Sequence, residues 1–161
     1  MEKSIDNRGI FEALLGDGRF LIIFTGLILF LSGILVIFQS IVGHFLPHDT
    51  QFLGMDAEQL GHFVQGKIVN FMFHDRVAFG GSIMAVGVLY MWLAEFPLRY
   101  KEAWSWWLLF FSGLIGFGSF LTYIGYGYFD SWHGVATFLL LPFFYCWNDS
   151  VLSIPWRLQK Y

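Results

Sequence analysis

Apolar residues in this chain run in long blocks, and the charges fall in the gaps between them. Charge-free stretches extend from Phe20 to Gly43, Val77 to Ala94, Ala103 to Phe129 and Ser131 to Asn148. Each reaches or approaches the roughly 20 helical residues that cross about 30 Å of hydrocarbon. None alternates apolar and polar residues, as a strand of a membrane barrel must. The pattern predicts an all-α integral membrane protein, an up-down bundle of four helices at about 20-43, 74-96, 103-127 and 132-154, with 1-161 as a single transmembrane domain. His133 and Pro142 interrupt the fourth block; a helix running on to Ile154, with Asp149 reaching for the interface, restores its length.

The gaps predict how these helices connect. The only large one is an outer segment at 44-70, and within it Asp56 followed three residues later by Gln59 has the form of a capping box. A short extracytoplasmic helix is therefore expected between the first and second membrane helices, with Leu60, Phe63 and Val64 on one face. Pro97 stops the second membrane helix and Gly125 to Ser131 is a short turn, so consecutive helices should be antiparallel neighbours. Ahead of the first block, Ile10, Phe11, Leu14 and Leu15 have the spacing of a turn or two lying along the membrane surface.

Composition supports the membrane reading. Hydrophobic residues are 57% of the 161 and charged residues 13%, against about 45–50% and 25% in soluble domains. The basic residues set an orientation. Lys3, Arg8, Arg19, Arg99, Lys101, Arg157 and Lys160 fall on one side and only Lys67 and Arg76 on the other, which places both termini in the cytoplasm. The first block follows nineteen mixed residues and lacks a small-x-small site after it, so it is expected to remain as an anchor. The single cysteine, Cys146, excludes an intrachain disulfide, and no basic patch points to nucleic acid. Gly26 and Gly33, then Gly80, Gly81 and Gly87, then Ser112, Gly116 and Ser119 are spaced for close helix contact. The tryptophans gather near helix ends as interfacial belts.

Candidate chemistry lies in three polar clusters on the outer side: His48-Asp49, His74-Asp75 and Asp130-x-x-His133. Charged groups in hydrocarbon cost about 2.5–3.5 kcal/mol each at a helix centre, so such residues usually face the bundle interior. With His74 and His133 near the outer ends of the second and fourth helices, the clusters can converge. Three chemistries suit them. A divalent transition metal would take His48, Asp49, His74, Asp75, Asp130 and His133 as ligands or as orienting partners. A b-type haem would take His74 and His133 as axial ligands. A proton relay to a quinone would use the His-Asp pairs, with Arg76 stabilising a developing anion or partnering a carboxylate. The alternative is structural: the aspartates cap helix starts and Arg76 pairs with Asp130. His44 and His62 read as ordinary surface residues, and Glu95 and Arg99 as an interfacial salt pair.

Four strings carry a resemblance: Leu46-Pro47-His48-Asp49; His74-Asp75-Arg76-Val77-x-Phe79-Gly80-Gly81; Glu95-Phe96-Pro97-Leu98-Arg99; and Gly116-Phe117-Gly118-Ser119 on to Tyr126-Gly127-Tyr128-x-Asp130-x-Trp132-His133-Gly134. They resemble a group of uncharacterised bacterial multipass membrane proteins. The resemblance implies a bacterial inner-membrane location and transfers no activity. The expected partners are the lipid bilayer and a second copy or larger membrane complex. The function classes in play are a metal-binding membrane protein, a non-catalytic subunit or scaffold, and a haem- or quinone-linked redox protein.

Overall fold

A computed structural model of the chain describes residues 18–119 and 122, and the regular elements among them are helical. In chain order they are α1 (Arg19–Ile41), α2 (Pro47–Leu53), α3 (Ala57–Val64), α4 (Lys67–Glu95) and α5 (Ala103–Ser119). The fourth expected membrane helix, with Asp130, His133 and Cys146, lies outside the described residues. So does the surface turn expected before residue 18.

α1 and α4 form the frame. They pack antiparallel through glycines, because only a missing side chain lets two backbones approach this closely. A Cβ added at Gly87 would meet the Gly26 carbonyl oxygen at 2.5 Å, and one added at Gly33 would meet that of Gly80 at 2.5 Å. Gly26 and Gly33 stand about two turns apart, as do Gly80 and Gly87, so the two contacts form one seam. Gly81, also expected at a helix contact, faces open space, as does Gly116. α5 joins α4 by a hydrogen bond from the Tyr90 hydroxyl to Ser112 Oγ, at 2.8 Å.

α4 starts seven residues before the expected position near 74. Gln65 and Gly66 both adopt positive φ, 54° and 71°, and close the preceding turn. From Lys67 onward neither proline nor glycine interrupts the chain until Gly80, so the helix propagates through its polar first turns. At 29 residues it is about 43 Å long, more than a bilayer core requires. His74 therefore sits two turns inside a helix and Asp75 is not a cap.

Apolar clusters close both ends of the pair. At the short connection, Leu21, Ile22, Leu93, Ala94, Leu98 and Leu109 are buried together. Glu95 there accepts from Arg99 Nη1 at 2.6 Å and lies 3.9 Å from Arg19, so the salt pair read from the sequence is present and has a third member. At the long connection, Phe45, Ala57 and Val69 are buried, with Leu60 and Phe73 packed against them. The capping box forms as expected: Asp56 Oδ1 accepts from the Gln59 N–H at 2.8 Å, and Gln59 Oε1 accepts from the Asp56 N–H at 2.9 Å. Phe63, expected on one face of α3 with Leu60, is 78% exposed, whereas Leu60 packs against the cluster.

Candidate functional site: a buried ion pair under the long connection

The polar centre of the described structure forms where the connection between α1 and α3 folds back on α4. Pro47 occupies the first position of α2, where its fixed φ suits a helix start and its missing N–H is not needed. Asp49, in the first turn of α2, reaches back so that its Oδ2 accepts the Leu46 N–H at 3.1 Å. That local bond aims the carboxylate at α4. Arg76 meets it there, with Nη2 at 2.6 Å from the same oxygen. Such a contact is a short, charge-assisted hydrogen bond.

Both partners are largely withdrawn from water, with side chains 14% exposed for Arg76 and 11% for Asp49. The guanidinium also lies over the Phe45 ring, with Cζ 5.0 Å from the centroid, which adds a cation–π attraction. Phe45 is held in turn by Phe73 at 5.7 Å between ring centres. His48 places Nε2 at 3.6 Å from Asp49 Oδ1, beyond a good hydrogen bond but close enough for an ion pair when the imidazole is protonated. One guanidinium nitrogen is left over. Arg76 Nη1 is buried and has no hydrogen-bond partner among the described residues.

Four of the six candidate metal-site residues are among the described residues, and they fall into two pairs. His48 and Asp49 join Arg76. His74 and Asp75 pair with each other at 3.5 Å on an exposed surface, 79% and 59% accessible. Two helical residues are about 200° apart, so His74 and Arg76 point to opposite sides of α4. Among the described residues no group of three or more His, Cys, Asp or Glu side chains could hold a metal ion. Asp130 and His133 lie outside those residues, and Arg76, which the sequence could pair with Asp130, is held by Asp49. His44 and His62 are exposed, as expected of surface residues.

Two contributors were not singled out from the sequence, Phe45 and the Leu46 N–H. The signal was present in the run Phe45-Leu46-Pro47-His48-Asp49, where an aromatic and a helix-starting proline precede the acid. Neither points to Arg76 until the connection folds.

Chemically, a neutralised guanidinium with one unused N–H edge is a hydrogen-bond donor site. The Asp49 Oδ2 is engaged twice, by the Leu46 N–H and by Arg76 Nη2. Fold and site together define a helical protein that has two helices, α1 and α4, long and apolar enough to cross a membrane, and a buried ion pair at one end of them. No family model, curated protein or solved structure matches the chain.

Proposed function

We propose that this chain is a small multipass protein of the bacterial inner membrane, a four-helix up-down bundle with both termini in the cytoplasm. It serves as a non-catalytic binding subunit through the polar centre at its outer end. Arg76 is the recognition group. Asp49 and Phe45 hold its guanidinium, and His48 stands beside Asp49. The observation that carries this reading is the buried Arg76 Nη1 with no acceptor among the described residues. A buried donor left unmade costs about 1–3 kcal/mol, and more on a charged group, so a protein that retains one has a use for it or a partner that fills it. The membrane part rests on α1 and α4 and on their outward apolar side chains, among them Leu27, Leu31, Leu35, Phe79 and Leu89. Lipid suits that surface better than water does.

Native mass spectrometry of protein released from its own membrane tests the binding role. A small adduct is expected on the wild type and should be missing from Arg76→Gln. Equal spectra from the two proteins would overturn the reading.

A metal site is the second reading, and the exposed, paired His74 and Asp75 favour a different place for it. Their surface is available to Asp130 and His133 on the fourth helix, and together the four supply two imidazoles and two carboxylates. This site is distinct from Arg76. Elemental analysis of folded protein should then find about one transition-metal ion per chain, lost in His74→Ala with α-helical content unchanged. Absence of metal from the wild type would discard it.

A further inference from the structure

The exposed apolar side of α4 continues past its polar residues. Ile68 stands about five full turns before Val86, and Phe71 about five before Leu89, so each pair points the same way. Val86 and Leu89 are exposed, on sides of α4 that α1 does not cover, and Ile68, Phe71 and, in α3, Phe63 are each at least half exposed. We infer that Phe63, Ile68 and Phe71 seat in the headgroup layer of the outer leaflet, which makes α3 an interfacial, lipid-binding helix. This rests on the membrane placement proposed above and extends it to the long connection.

Depth along α4 identifies the neighbour. Glu95, with Arg19 and Arg99, marks one boundary at the short connection. At 1.5 Å per residue Asp75 stands about 30 Å from Glu95, the thickness of a hydrocarbon core. The exposed His74–Asp75 pair therefore falls at the opposite boundary, where polar groups cost less than at the centre of a span. Phe71 lies one turn further on, about 36 Å from Glu95, within the headgroup layer that adds about 5–8 Å on each side. Ile68, a turn beyond, reaches the outer edge of that layer.

α3 turns its apolar half the same way. Leu60 packs into the cluster of Phe45, Ala57 and Val69 at the end of the helix pair. Phe63 is about 60° round the helix from Leu60, whereas Glu58 and His62 are about 160° round. A side chain on the inward half that is still exposed looks past the rim of the protein, where the lipid lies. Three large apolar side chains at this level suit lipid better than water. α3 contains no Lys or Arg, and Asp56 and Glu58 are acidic, so apolar area and not attraction to anionic lipid would hold it.

Quenching of a fluorophore from the two sides of the interface tests this. Full-length protein carrying Cys146→Ser is placed in phosphatidylcholine nanodiscs, with bimane on a single cysteine introduced by Phe63→Cys, Phe71→Cys, Glu58→Cys or Leu31→Cys. Bimane at 63 and 71 is expected to lose emission to a lipid with a nitroxide on its headgroup and to be protected from aqueous iodide, whereas 58 is open to iodide. Leu31, exposed near the middle of α1, is the control for the membrane placement. Quenching there by a nitroxide deep in the acyl chain, and not by iodide, keeps that placement. With the control in place, iodide quenching at 63 and 71 equal to that at 58 overturns the inference and leaves the membrane reading standing. Protection from both quenchers also overturns it, since protein and not lipid would then cover the patch. Iodide quenching at 31 would remove the membrane placement and this inference with it. Should Phe63→Cys fail to fold, Phe71→Cys and Ile68→Cys report on the same surface with the same expected pattern.

Discussion

Arg76 and Asp49 depend on each other, and the cost of separating them can be stated. Removing one member of a buried, hydrogen-bonded pair strands the other charge, at about 3–5 kcal/mol, whereas replacing both by apolar residues of similar size is often neutral or stabilising. Asp49→Ala should therefore destabilise the protein by that amount in denaturant unfolding in mixed micelles. Asp49→Leu combined with Arg76→Met should return to within about 1 kcal/mol of the wild type. Strictly additive losses would mean that the pair does not act as a unit. At this scale the sequence was only partly legible. It marked Asp49 and Arg76 as polar residues needing an explanation, but the partner it offered Arg76 was Asp130. The actual partner is 27 positions earlier in the chain, at the start of a seven-residue helix, and only the fold-back of the connection brings it in. His74 shows the reverse case. Its adjacency to Asp75 and Arg76 suggested one cluster, yet helical rotation sends it to the opposite side of α4.

The elements themselves were more legible, because apolar block length and capping chemistry are local signals. α1 and the Asp56–Gln59 box are where the pattern put them. α4 begins before the expected position near 74, because the backbone needs only the absence of a breaker to continue a helix through polar residues. The glycines sort by what faces them. Gly87→Ala puts a methyl against the Gly26 carbonyl oxygen and the Phe30 amide, at 2.5 and 2.8 Å, so the α1–α4 seam must open. A loss of about 1–3 kcal/mol is expected, as for other overpacked contacts. Gly81→Ala, one helix face away and meeting no other atom, should be neutral or gain up to about 1 kcal/mol from helix propensity. Parallel thermal melts of the two variants in one detergent check this. Equal responses would contradict the close approach of the two helices.

At the scale of the whole molecule, two helices long and apolar enough to cross a membrane carry a polar centre at one end, and the proposed function puts that end outside. Hydropathy and the distribution of Lys and Arg are the basis of the proposed frame and its direction, since both are bulk properties of the sequence. The centre could not be assembled in the same way, because its parts come from a connection, a long helix and a cation–π contact. Sidedness ties the two together. With Cys146 replaced by serine, a single cysteine is introduced either at Glu58, in α3 beside the centre, or at Lys101, in the short connection. Each variant is treated in intact spheroplasts with a membrane-impermeant maleimide. The account predicts labelling at 58 and none at 101 until the cells are lysed. Labelling at 101 but not at 58, or at both positions before lysis, would contradict it.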